Sequence, residues 1–240
     1  AAKLTQIVMY GAKIIPVKGT YDDAFDLSIK ATKEFGWYNR NTAFNPFTIE
    51  GKKTVSFEIF DQLGENIPDR IFVPVGDGVI ISGVYKGFED LLNIGLITRM
   101  PKIVAVQSAG SRNLVNNLGD ESFKITPSNT IADSISVDIP RNFYMAKQFI
   151  ENYNGESVIV SDDEIIQASG ILSKNTGIFA EPAAFAGMLK YKLEGKLSEK
   201  SQNVVLLTGS GLKDLKGVAS IVKIPEAVEA NIEELKKSPQ

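Results

Sequence analysis

The apolar positions of this chain repeat with two periods that alternate along its length. Positions 71–75 form a continuous apolar run of strand length, whereas Val84, Phe88, Leu91 and Leu92 fall on one face of a helix. The same reading predicts further strands over 102–107, 157–160 and 204–207. Helices are predicted over about 51–63, 82–94, 111–118, 141–152, from Asp162 onward, and over 182–191. Asp162, Asp163 and Glu164 put negative charge at a positive helix end, and Pro182 suits a first helical turn. A last amphipathic helix is predicted over 225–237. Before residue 44 the elements are shorter. A helix over 3–10 carries Leu4, Ile7 and Val8 on one side and is closed by Gly11. A short strand covers 14–17. Thr20-Tyr-Asp-Asp23 has the form of a capping box. It opens a helix with Ala24, Leu27, Ala31 and Phe35 facing inward, closed by Gly36. Trp37-Tyr38 can start another short strand. Asn45-Pro46-Phe47 breaks the pattern and reads as a crossover between domains.

Strands that alternate with helices imply an α/β fold, an open and mostly parallel sheet with helices on both faces. The break near residue 44 divides it into a small α/β part over 1–43 and a larger domain over 44–240. In such sheets ligands sit at the carboxyl ends of strands. Three segments bring glycine or hydroxyl residues to those ends: Gly76-Asp-Gly78, Ser108-Ala-Gly110 and Thr208-Gly-Ser-Gly211. The first follows the most apolar strand and leads into a helix. Glycines there let the backbone approach a phosphate, and free N–H groups at a helix start point at an anion. A plain βα turn would have the same sequence form.

Composition narrows the chemistry. Of 240 residues 43% are hydrophobic and 23% charged, the balance of a globular protein with a large core. A net charge of −3 is no footprint for nucleic acid, and no apolar run is long enough to span a bilayer. No signal-peptide pattern is present, so a cytoplasmic location is expected. The chain has no cysteine and no histidine. That excludes disulfides, thiolate or His-based nucleophilic catalysis, and metal sites built on sulfur or imidazole. Any chemistry must come from lysine, carboxylates, hydroxyls, backbone donors or a cofactor.

Five stretches carry a resemblance. They are Asn45-Pro46-Phe47-x-x-Glu50-Gly51-x-Lys53-Thr54, Val73-Pro-Val-Gly-Asp-Gly78, Ser82-Gly-Val-Tyr-Lys-Gly-Phe88, Ala180-Glu-Pro-Ala183 and Leu207-Thr-Gly-Ser-Gly-Leu-Lys-Asp214. With Ala132-Asp-Ser-Ile and Ile139-Pro-Arg141, their order and spacing resemble the threonine synthases and their relatives in the fold-type-II, tryptophan synthase β-like, family of pyridoxal-phosphate enzymes. The resemblance implies pyridoxal phosphate as cofactor and a small amino acid as substrate, in a homodimer without membrane or nucleic-acid partners. It places the cofactor phosphate on Gly76, Asp77, Gly78, Val79 and Ile80. It sets the Thr208 hydroxyl against the pyridine nitrogen and Glu181 near the ring. Asn45 and Thr48 are the expected substrate-facing positions.

The chain also departs from the family. Many threonine synthases have a loop like G-N-x-G-N where Gly76-Asp77-Gly78-Val79-Ile80 stands. A carboxylate beside a phosphate is unfavourable unless it is turned away or neutralised. An arginine follows N-P-F in some relatives, and here Thr48 does. The family's Schiff-base lysine lies in an F-K-D/N-R-like segment, followed by an S-G-N-like loop, and neither occurs here. No catalytic residue is therefore assigned within the chain. The expectation is a fragment covering roughly the last two-thirds of such an enzyme, inactive by itself and binding the cofactor weakly or not at all. Threonine dehydratase-like, cysteate synthase-like and diaminopropionate lyase-like activities are alternatives within the class. A non-enzymatic relative that keeps the fold as a binding module is the alternative outside it. A dinucleotide-binding fold is disfavoured, because no G-x-G-x-x-G follows the first strand.

Overall fold

The computed structural model describes residues 2–120, 122–219, 221–224, 227–230, 232 and 236. Among them, four strands form one parallel sheet: β1 (Arg70–Pro74), β2 (Lys102–Ser108), β3 (Glu156–Val160) and β4 (Asn203–Val205), in the order β3-β2-β1-β4. Ile71 stands opposite Ile103 on one side and Val204 on the other. Nine helices among the described residues accompany the sheet: α1 (Ala2–Met9), α2 (Tyr21–Phe35), α3 (Pro46–Lys52), α4 (Thr54–Leu63), α5 (Val79–Asn93), α6 (Asn113–Asn116), α7 (Phe143–Asn152), α8 (Asp162–Thr176) and α9 (Ala183–Leu193). None of them is long and apolar enough to cross a membrane.

The pleat of the two central strands divides the core. Ile71, Val73, Ile103 and Ala105 face α5 and α7, joined by Val84, Tyr85 and Phe88. Phe72, Val104 and Val106 face α8 and α9, where Ala183, Ala184 and Ala186 allow close approach. Both faces are buried, so these strands read as unbroken apolar runs rather than alternating ones. Small residues set the helix layers. A Cβ at Gly83 would lie 2.4 Å from the Lys52 Cβ, and one at Gly87 2.6 Å from the Lys53 carbonyl oxygen. α3 and α4 therefore lie directly on α5.

The sheet and the large helices match the sequence reading, and the differences have local causes. The predicted helix over 51–63 is two helices that meet at Lys53. The helix after the glycine turn begins at Val79 rather than near Ser82. Gly78 leaves the strand in a left-handed conformation (φ 82°), and the chain turns helical at once. Val79-Ile80-Ile81 is β-branched and reads in sequence as strand-like. Residues 14–17 and 37–38 are not strands. No sheet edge among the described residues offers them hydrogen bonds, and Ile15 and Trp37 are exposed.

α2 starts with the expected capping box, Thr20 with Asp23, but it turns another face inward. Leu27 and Phe35 are 46% and 64% exposed, while Phe25 is buried. Polar contacts orient this helix: the Thr32 and Ser28 hydroxyls and the Ser28 carbonyl engage Asn39 and Asn41, and Arg141 stacks over Phe25 at 4.6 Å. The predicted helix over 225–237 lies largely outside the described residues.

Candidate functional site

A cavity of about 900 Å³ opens at the carboxyl ends of β1 and β4. Gly76, Asp77, Gly78, Val79 and Ile80 line it, and so do Thr208 and Gly209 after the neighbouring strand. Two of the three expected segments thus meet. The third does not. Ser108 donates to Thr130 Oγ1 (2.7 Å) and Asp162 Oδ1 (3.2 Å). The N–H of Asn129 bonds to the Gly110 carbonyl at 2.8 Å. A Cβ at Gly110 would lie 1.8 Å from the Asn129 carbonyl oxygen. Ser108-Ala109-Gly110 is therefore an anchor. It fixes the loop that follows residue 126, whose residues Ser128 and Asp133 to Asp138 form the third wall of the cavity. Asn113 clamps the same loop by donating to the Thr126 carbonyl (2.7 Å) and accepting from its N–H (2.8 Å).

The glycine turn leaves its backbone donors open. Behind it, a Cβ at Gly76 would lie 3.2 Å from both the Ile135 Cα and the Val137 Cγ2, so backbone packs tightly there. In front, the N–H groups of Asp77 to Ile81 have no acceptor among the described residues, and α5 starts without a side-chain cap. Unspent donors at the first turn of a 15-residue helix face the cavity with the positive end of its dipole. Asn142 braces the turn, donating to the Gly78 carbonyl (3.2 Å) and Ser82 Oγ (2.7 Å).

Asp77, the acidic residue in the turn, is held sideways. Its Oδ2 accepts from the Tyr21 hydroxyl at 2.7 Å and its Oδ1 from the Arg141 N–H at 3.3 Å. Burial pushes its carboxyl above the ordinary value, against these two hydrogen bonds. Burial, with the Asp77 carboxylate next in size, holds the Tyr21 phenol well above its own ordinary value. The hydroxyl is thus a permanent donor.

Thr208 is exposed to the cavity, and its hydroxyl makes no hydrogen bond among the described residues. It is not a helix cap; Ser210 caps the short turn that follows, accepting from the Leu212 N–H at 3.3 Å. Glu181 stands behind Gly209, bonded to it through its backbone N–H (2.8 Å). It lines a second cavity of about 60 Å³, which shares Asp133, Ser134, Gly209 and Lys213 with the first. Glu181 Oε1 accepts from the Ala183 N–H (2.9 Å), and Oε2 is buried without a partner among the described residues. Burial pushes this carboxyl up.

Asn45 and Thr48 are placed outside the cavity lining. Asn45 caps α3 through the Phe47 N–H (3.0 Å) and donates to the Tyr38 hydroxyl (2.9 Å) and the Asn39 carbonyl (3.0 Å). The Thr48 hydroxyl bonds to the carbonyls of Thr42 (2.6 Å) and Asn45 (2.7 Å). Thr42 itself reaches the cavity.

The sequence reading missed Lys52. It lies beside the first turns of α5, lines the large cavity and makes no ion pair among the described residues; burial pushes its ammonium down. Its neighbour Lys53 is spent on Asp90 (2.6 Å) and Glu50 (2.8 Å). The available signal is the Lys-Lys pair at the end of α3. Lys53 faces Asp90 of α5, so Lys52 faces away from it.

The sequence matches the pyridoxal-phosphate dependent enzyme family over residues 1–209, and the chain belongs to that family. It is 37% identical to a threonine synthase of Methanocaldococcus jannaschii over 98% of its own length and 59% of that protein's. It is 35% identical to a threonine synthase of Mycobacterium bovis over 97% of its own length and 65% of that protein's. The chain thus spans about three-fifths of these relatives. Solved structures share the fold: threonine deaminase isoform 2 of Solanum lycopersicum (TM-score 0.76, 21% identity, covering 93% of this chain and 64% of that one) and maize serine racemase (TM-score 0.71, 22% identity, 92% and 67%). The family's cofactor fits the cavity at both ends. The glycine cradle and unspent N–H groups suit the phosphate, and the Thr208 hydroxyl, unbonded among the described residues, suits the ring nitrogen.

Proposed function

We propose that the whole protein is a threonine synthase, converting O-phosphohomoserine and water to threonine and phosphate. One observation carries this reading: the phosphate-type glycine turn and the unpartnered Thr208 hydroxyl line a single cavity, in a chain whose relatives bear that name. Pyridoxal phosphate, when bound, supplies an electron sink for carbanion chemistry on an amino acid.

The chain's own residues do the rest. The N–H groups of Gly76 to Ile80 hold the phosphate and fix the cofactor's depth. Thr208 would face the pyridine nitrogen with a neutral hydroxyl, a partner suited to elimination and replacement rather than transamination. Glu181 closes the site behind Gly209 and gives the ring's surroundings a buried carboxyl, which burial pushes above its ordinary value. Lys52 offers the ammonium for a phosphorylated substrate, the place that Thr48 leaves unfilled. Asn45 and Thr48 act indirectly, by holding the loop that carries Thr42. The working unit is a homodimer in the cytoplasm.

Thr208→Ala in the whole protein tests the assignment. The residue is exposed and its side chain makes no hydrogen bond among the described residues, so stability should change by no more than ~0.5 kcal/mol. Release of threonine and phosphate from O-phosphohomoserine should fall at least roughly tenfold, about the worth of one lost hydrogen bond to the reacting system. Unchanged turnover would remove Thr208 from the mechanism. Conversion of threonine or serine to an oxo acid, with no action on the phosphorylated substrate, would replace the synthase reading with a dehydratase.

A further inference from the structure

The acidic glycine turn poses a physical problem. A carboxylate lies in the middle of a loop whose backbone faces an anion, and like charges that close repel. The structure holds the answer in a residue 56 positions away. Tyr21 is the first residue of α2. Its hydroxyl takes Asp77 Oδ2 at 2.7 Å, while the Arg141 N–H takes Oδ1 at 3.3 Å. The Asp77 carbonyl is fixed as well, by the Asn142 N–H at 3.0 Å. Among the described residues, every hydrogen bond to Asp77 comes from α2 or from residues 141–142, outside the turn itself.

Tyr21 is well supported for this task. The capping box of Thr20 and Asp23 fixes the helix start on which it stands. One turn on, Phe25 packs beneath the Arg141 guanidinium at 4.6 Å. That guanidinium pairs with Asp22 at 2.9 Å and Asp26 at 3.1 Å. The first turns of α2 are thereby docked on the same segment that braces the glycine turn.

We propose that Tyr21 is a positioning residue for the phosphate loop: its hydroxyl holds the Asp77 carboxylate off the anion cradled by Gly76 to Ile80, and so makes an acidic glycine turn compatible with a phosphate ligand. The inference rests on the phosphate reading of the turn given above. It assigns α2 a part in cofactor binding without any contact to the cofactor.

A double-mutant cycle in the whole protein, freed of its cofactor, tests it, read as the affinity for pyridoxal phosphate and for inorganic phosphate by calorimetric or NMR titration. Tyr21→Phe keeps the ring and removes only the donor, freeing the carboxylate. It should weaken both ligands roughly tenfold. Asp77→Asn should bind at least as tightly as the wild type. In the Asp77→Asn background, Tyr21→Phe should change affinity less than about twofold, because no charge remains to be held. Thermal melts of all four proteins establish that each is folded. The proposal is overturned if Tyr21→Phe binds like the wild type, or if its loss is equally large in the Asp77→Asn background. If neither the wild type nor Asp77→Asn binds either ligand, the phosphate reading of the turn falls, and this proposal with it.

Discussion

Gly78→Val should weaken phosphate binding at the turn at least roughly tenfold while leaving the protein folded. Gly78 has φ 82°, a conformation that costs an L-residue about 1–2 kcal/mol and a β-branched one more. An added Cβ would lie 3.1 Å from the Ala146 Cβ, 3.2 Å from Leu114 Cδ1 and 3.3 Å from the Asn142 carbonyl oxygen. Two of these neighbours are core side chains and the third is backbone, so none yields easily. Overpacking of this kind adds about 1–3 kcal/mol. The strain is relieved most readily by moving the turn itself, which is the part with unspent hydrogen bonds. The N–H groups then no longer converge. Affinity for pyridoxal phosphate should fall at least roughly tenfold, with a melting temperature lower by roughly 10 °C. Wild-type affinity in a folded Gly78→Val protein would place the phosphate elsewhere.

Phe72→Ala should be the most damaging single truncation. Phe72 is fully buried at the centre of β1 and meets Tyr191 edge to face, with ring centroids 5.2 Å apart and planes at 88°. It is the aromatic anchor between the sheet and α9. Its neighbours Val104, Val106 and Ala183 are fixed on strands or a helix and cannot collapse into the gap. Emptying such a site costs about 3–5 kcal/mol. The melting temperature should drop by roughly 10–15 °C. Leu193→Ala is the control: that side chain is 87% exposed, and its loss should register within ~0.5 kcal/mol. A Phe72→Ala loss below ~1 kcal/mol, against the cost of an emptied core site, would mean that the sheet and α9 do not pack as described.

The part of the fold legible in the sequence is the part governed by local rules. β1, the glycine turn and α5 were readable because an apolar run of strand length, two glycines and a helical stripe succeed one another along residues 70–93. The capping box at Thr20 and the acidic first turn of α8 were equally plain. What was not legible depends on partners distant in sequence. Residues 14–17 have strand composition, but a strand exists only against an edge. Val79-Ile80-Ile81 disguised a helix start as the continuation of a strand.

The site divides in the same way. Gly76 to Gly78 and Thr208 could be placed at strand ends from pattern alone, the resemblance added Val79 and Ile80, and the cavity joins them. Asp77 stood out as an anomaly, but its resolution by Tyr21 and Arg141 spans 56 and 64 positions, beyond any periodicity. Asn45 and Thr48 carry motif identities, yet their polar atoms serve a helix cap and a loop. Lys52 has no motif of its own and emerges only because Gly83 lets α3 lie on α5.

The proposed function turns on one contact, that of the glycine-turn backbone with the phosphate of pyridoxal phosphate. The most direct test follows the backbone amide signals of the whole protein, freed of its cofactor, during titration with pyridoxal phosphate and, separately, with pyridoxal, which lacks the phosphate. The phosphate ester should shift the amides of Gly76, Asp77, Gly78, Val79 and Ile80, and pyridoxal should leave those amides in place. Equal shifts with both ligands, or none at these amides with the phosphate ester, would contradict the account.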